Sequence, residues 1–167
     1  CRLGSQRVTL AAVSDAGPLI HLAEIDALEL LAAFDTLLIP ETVYAEVETG
    51  GIPDGLSDRS YELVDATARP VPSTELDAGE RAALAVATDH DVTFLTDDLA
   101  AREAASEAGV DVHGSIGIIA LGYHRGMLHR EQAASLMHAL QQETSLFVTR
   151  AIVERGIRQL DESHRTD

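Results

Sequence analysis

A chain of 167 residues with 46% apolar content suits one compact domain with a hydrophobic core and leaves little room for a second. Its single cysteine, Cys1, excludes a disulfide scaffold and a cysteine-built metal site. No run approaches the roughly 18 consecutive apolar residues of a membrane span, so a soluble, cytoplasmic protein with no membrane contact is expected.

The charge is lopsided. Twenty-eight acidic residues face twelve basic ones, all of them arginine, for a formal net charge of −16. Such an excess keeps a protein soluble at the expense of self-repulsion, a pattern that fits a halophilic source; arginine-biased codon usage accounts for the missing lysine but not for the abundant acids.

In chain order, the opening CRLGSQ reads as part of an N-terminal extension over residues 1–7, followed by one domain over 8–160 and a flexible tail over 161–167. Val8 to Ser14 is an apolar run of strand length, and after a turn at Gly17-Pro18 the segment LIHLAEIDALELLAAF has helical spacing. Thr36 to Pro40 reads as a strand, Thr42 to Glu48 as a short helix, and GGIPDG as a loop. A strand at Val92 to Thr96 lies between alanine-rich helices at Ala78 to His90 and Leu99 to Ala108, and Gly109 to Val112 makes another strand. From Ser115 onward the pattern is helical. Strands alternating with helices predict an α/β fold: three layers, with a central parallel sheet of four or five strands and a helical C-terminal part.

The acids fall at telling places. Asp15 follows the first strand directly, and Asp97-Asp98 follow VTFLT. Both lie at carboxyl ends of parallel strands, the edge at which open α/β sheets bind ligands. Each also suits a helix N-cap. Asp77 and Glu80 in LDAGE have the spacing of a capping box. Glu80 in addition begins the apolar stripe of Ala83, Leu84 and Ala87, and a buried carboxylate there needs a partner, for which a metal would serve. Glu46 shares a helix face with Val43 and Val47; its alternative is a solvated surface position. His21, on a leucine-rich helix, reads as a packing residue.

SDAGPLIHL, IPETVYAEV, LDAGERAALAVA, TDDLAAR and VHGSIGII, in this order, resemble the PIN-domain nucleases, in particular the VapC-like branch with SDxxPLI, LDxGE and TDDxxAR motifs. The resemblance spans about residues 8–150. It implies a metal-dependent ribonuclease that hydrolyses RNA, the toxin of a toxin and antitoxin pair with an antitoxin protein as partner, and a homodimer. By position it implies catalytic acids at Asp15, Glu46, Glu80 and Asp98, with Asp97 competing for the fourth place and all five as candidate metal ligands. Ser115 falls where relatives carry threonine, as a substrate contact or an N-cap. Gly17 departs from the family's serine or threonine.

Phosphodiester hydrolysis needs an activated water and neutralisation of developing charge, both of which Mg2+ or Mn2+ supplies from a few carboxylates. The basic residues gather late: residues 1–100 hold five arginines against nineteen acids, residues 101–167 seven against nine. Arg102, Arg125 and Arg130 are therefore candidates for an RNA groove, or for ordinary solvated helix surface. Two rivals remain: an inactive PIN-like domain that binds RNA or protein, and a phosphate-handling domain with Asp15 as nucleophile. The latter lacks a second aspartate two positions on.

The acidic excess makes salt a test. Melting temperature should climb as salt rises from about 0.1 M, where the Debye length is about 10 Å, toward molar levels. A flat or falling curve would remove the halophile reading.

Overall fold

A computed structural model describes residues 10–53, 55–56, 59–65, 76–146 and 148–165, with side chains to residue 161. The chain runs β1 (Ala11–Ser14), α1 (Ala16–Glu24), a 3₁₀ segment (Leu28–Ala33), β2 (Thr36–Pro40), α2 (Glu41–Thr49), β3 (Glu62–Val64) and α3 (Ala78–His90). There follow β4 (Thr93–Leu95), α4 (Leu99–Glu107), β5 (Val112–His113), α5 (Ser115–His124), α6 (Arg130–Glu143) and α7 (Arg150–Arg165). The five strands are parallel in the order β3-β2-β1-β4-β5, flanked by helices in a three-layer α/β/α arrangement.

The central strands carry no polar alternation because helices cover the sheet: Ala12, Val13, Ile39, Phe94 and Leu95 are all fully buried. Strand order reverses between β1 and β4, where Val13 lies opposite Phe94 and Ser14 opposite Leu95. The carboxyl ends of these two strands therefore flank the switch point, the usual ligand crevice of an open α/β sheet.

Several features differ from the sequence expectation. Gly17-Pro18 is no turn but part of the first turn of α1, which Asp15 caps, and the segment after it is not one helix. It stops at Ile25, where Asp26 adopts a left-handed φ of 58° and the amides of Asp26 and Ala27 bond back to the carbonyls of Ala23 and Leu22. That is a Schellman closure, with aspartate tolerating the conformation that usually falls to glycine. β3 was not expected: it is three residues long, at the sheet's edge, with Glu62 and Leu63 exposed, so its sequence lacks an apolar run. The last strand sits at Val112–His113, a little later than Gly109 to Val112, since Gly109 closes α4 with a φ of 76°. α7 continues to Arg165, five residues into the expected tail. The extension at 1–7 lies outside the described residues. Among the described residues no helix is long and apolar enough to cross a membrane.

The C-terminal helices pack on one another through small residues. A Cβ on Gly156 in α7 would come within 2.6 Å of Ile116 Cγ2 on α5 and 3.1 Å of Met137 Sδ on α6. A Cβ on Gly122 would lie 2.8 Å from Leu30 Cδ2, the far end of a flexible side chain. Arg130 forms a fork with Asp161, at 2.7 and 2.9 Å, that ties α6 to α7. The two glycines should therefore respond differently to substitution. Gly156→Ala meets a stiff β-branched side chain and should cost about 1–2 kcal/mol after any gain in helix propensity, whereas Gly122→Ala should be near neutral as Leu30 shifts. Urea unfolding of both variants checks this, and equal losses would contradict it.

Candidate active site

Asp15 is 5% exposed at the carboxyl end of β1. Its amide bonds the Leu95 carbonyl at 2.9 Å, locking it to β4. One carboxylate oxygen accepts from the Ala16 amide at 2.7 Å and so caps α1; the other accepts from the Thr96 hydroxyl at 2.9 Å. Both oxygens are thus oriented from opposite sides of the switch point. The capping reading holds, and it leaves the carboxylate at the crevice between β1 and β4.

α3 begins at the same edge. Asp77 and Glu80 form the capping box expected from LDAGE: the Glu80 amide donates to Asp77 at 2.8 Å, and the Asp77 amide donates to Glu80 Oε1 at 3.0 Å. Glu80 is nonetheless 8% exposed. Glu46, on α2, sets its carboxylate against the first turn of α3, accepting from the Gly79 amide. A Cβ at position 79 would run into the Glu46 carboxylate, so glycine there leaves room for the carboxylate in this rotamer.

The two aspartates after β4 diverge. Asp98 caps α4, accepting from the Ala101 amide at 2.9 Å through Oδ2. Asp97 turns the other way: Oδ1 accepts from the Ser115 amide at 2.6 Å, and Oδ2 takes the Ser115 hydroxyl at 2.6 Å and His21 Nδ1 at 2.8 Å. These three bonds engage both oxygens of Asp97. Ser115 is fully buried behind it and holds Asp97 in place. Arg102 lies beside the same knot, with a Cβ on Gly114 falling 2.5 Å from its Nη1 and 2.8 Å from Asp97 Oδ1. Arg125 donates to the Ala33 carbonyl and Arg130 pairs with Asp161, bonds within the helical part that do not bring either to the acids.

Electrostatics joins the acids into one group. Burial pushes Asp15 from 3.8 up to about 6, with the charges of Asp77 and Glu46 adding to the rise. Burial likewise lifts Glu80 from 4.5 to about 7, helped by Asp15, Asp77 and Asp98. Glu46 is raised by burial and by Asp77. Five carboxylates, Asp15, Glu46, Asp77, Glu80 and Asp98, thus share one electrostatic neighbourhood, and Asp97 enters none of these interactions. Asp77 is the member that sequence reasoning missed. Its capping role was legible in LDAGE, but its nearness to Asp15 and Glu46 depends on where α3 starts in space.

The group offers only carboxylate oxygens, the donor chemistry that hard divalent cations take. Among the described residues no three acidic, histidine or cysteine side chains already close round one point as a metal cage. The helix caps work against such a cage, since bonds to backbone amides at the starts of α1, α3 and α4 hold Asp15, Asp77, Asp98 and Glu46 toward those helix ends.

A pH dependence follows. Asp15 and Glu80 have folded-state values above their unfolded ones, so between about 4 and about 7 the folded chain binds more protons than the unfolded chain. Their contribution to stability is therefore present at low pH and lost as pH rises through that window. With chelator present, thermal melts from pH 5 to pH 8 should fall, and Asp15→Asn, which keeps shape and acceptor, should fall less and match or exceed the parent at pH 8. A variant much less stable at pH 8 would mark Asp15 as a structural cap alone.

Known proteins bear on the fold and the family of the chain. No curated protein matches the chain. The chain is similar in fold to a solved PilT N-terminus domain protein from the hyperthermophilic archaeon Sulfolobus solfataricus, with a TM-score of 0.58 and 20% identity over 72% of this chain and 97% of that one. A family model described as the PIN domain matches residues 11–162. With that match over most of its length, the chain belongs to the PIN-domain family.

Proposed function

We propose that this domain is a divalent-metal-dependent endoribonuclease that hydrolyses RNA phosphodiester bonds. The observation that carries the reading is the gathering of Asp15, Glu46, Asp77, Glu80 and Asp98 at the switch-point edge, where burial and shared charge keep Asp15 and Glu80 from ionising at their usual pH. PIN domains are generally nucleases and typically use divalent metals, which agrees with the donor set here.

Asp15, Glu80 and Asp98 would hold Mg2+ or Mn2+, with Glu46 and Asp77 close behind. When bound, the ion supplies an activated water and offsets charge on the phosphate. The chain's own part is orientation. Thr96 and the Ala16 amide aim Asp15, the Asp77 amide steadies Glu80, and the Ala101 amide fixes Asp98 while leaving its second oxygen open. Family likeness supports a toxin role with an antitoxin protein as partner and a homodimeric state. Arg102, which lies beside Asp97, is the arginine we assign to the RNA backbone.

One observation favours a second reading, a domain that binds RNA or protein without cutting: the ligands do not already surround one point. Metal titration separates the two. Manganese at a hundredfold excess over its Kd should stabilise the parent by about 2.7 kcal/mol, while Asp15→Asn gains little. The parent should also cut single-stranded RNA with manganese, and the variant should not. Equal shifts in both proteins would place the ion away from Asp15, and a parent that binds manganese yet leaves RNA intact would support the binding module.

A further inference from the structure

The knot around Asp97 is a second constellation at the same edge, and it leaves one atom uncommitted. His21 stands one helical turn beyond Gly17 on the same face of α1, and its side chain leans back toward the helix start. Its Nδ1 meets Asp97 Oδ2 at 2.8 Å. An acceptor carboxylate fixes the ring tautomer, placing the proton on Nδ1 and leaving Nε2 as an acceptor in the neutral ring. No partner for Nε2 occurs among the described residues. Nor is it sealed from solvent, since the one buried, unpartnered side-chain polar atom among them is Arg59 Nε. The side chain keeps 14% of its surface open.

Gly17 lies against the ring. A Cβ there would lie 3.6 Å from both His21 Cε1 and Asp97 Cβ, so the absent side chain leaves the flank of the imidazole uncovered. Gly17 follows Asp15 by two residues, and Asp97 stands between Thr96, which aims Asp15, and Asp98. An open acceptor thus borders the acid group. Phosphate oxygens, themselves acceptors, gain nothing from it. A hydroxyl donor does.

We propose that His21 Nε2 accepts a hydrogen bond from a ribose 2′-hydroxyl of the bound strand and is the residue by which the domain tells RNA from DNA. The inference rests on the nuclease reading for its substrate class and names the group recognised beside the acids. The 2′-hydroxyl is the donor that RNA has and DNA lacks. Asp97 and Ser115 are then positioning residues that fix the tautomer and the ring's direction, and Asp97 has no duty as a metal ligand.

The test is binding rather than cleavage. With the full chain and chelator present, fluorescence anisotropy compares single-stranded RNA, DNA and 2′-O-methyl RNA of one sequence. The parent should favour RNA over DNA by about three- to tenfold, the size of one neutral hydrogen bond. It should hold 2′-O-methyl RNA no better than DNA, because the donor hydrogen is gone. His21→Asn, whose amide can still donate to Asp97 but cannot reach outward, should bring the RNA to DNA ratio to about one by weakening RNA alone. Equal affinities in the parent, 2′-O-methyl RNA binding as RNA does, or an unchanged ratio in His21→Asn would each overturn the proposal. The oligonucleotide comparison needs no variant, so a misfolded His21→Asn would not spare it. Absent manganese-dependent cleavage with the ratio intact would instead count against the nuclease reading and leave this one standing.

Discussion

First-turn amides need acceptors, and in this fold that requirement gathers the charge. α1, α3 and α4 each begin with an aspartate whose carboxylate takes a backbone N–H: Asp15 from Ala16, Asp77 from Glu80, and Asp98 from Ala101. Glu46 does the same from a neighbouring helix, through Gly79. Parallel topology starts these helices at one edge of the sheet, so satisfying them locally places the acids side by side. Positive helix ends partly offset the repulsion that results. The domain can therefore hold a crowded anionic edge without a basic side chain bonded to Asp15, Glu80 or Asp98 among the described residues. Capping and site-building are here one geometry seen at two scales.

Much of this was legible in the residues, and the reason is local. The α3 span of Ala78–His90 and the β2 span of Thr36–Pro40 follow from an aspartate cap and from an apolar run, signals a few residues long. Asp15 stood out because it comes straight after a buried strand, and Asp98 because it lies between such a strand and the alanine-rich helix it caps. The hidden parts are those set by distant neighbours. β3 is too short and too exposed to carry a pattern, and it is a strand only because β2 lies beside it. The split after α1 depends on Asp26 taking a left-handed turn that apolar spacing alone does not reveal.

The same holds within the site. Asp97 and Asp98 are adjacent and chemically identical, so the sequence left the fourth acid undecided. The structure separates them through what each finds nearby. Asp98 meets the N-terminus of α4, while Asp97 meets Ser115 across eighteen residues and His21 across seventy-six. His21 had the spacing of a packing residue, and it does pack; its bond to Asp97 could not be seen without knowing that α1 and β4 abut. Asp77 was hidden in the opposite way, by a capping role so complete that it left no sign of a second one.

The seat of Glu46 against Gly79 links two positions that lie thirty-three residues apart in the chain. So long as position 46 carries a carboxylate in this rotamer, position 79 is closed to every side chain, although alanine there would favour the helix by about 1 kcal/mol. Drift at the two sites is therefore coupled. A descendant that lost the glutamate would be released to fill position 79, and once filled, that position would keep a returning glutamate out of this rotamer. The order of substitutions would matter, and loss of this seat would act as a ratchet in the history of the fold.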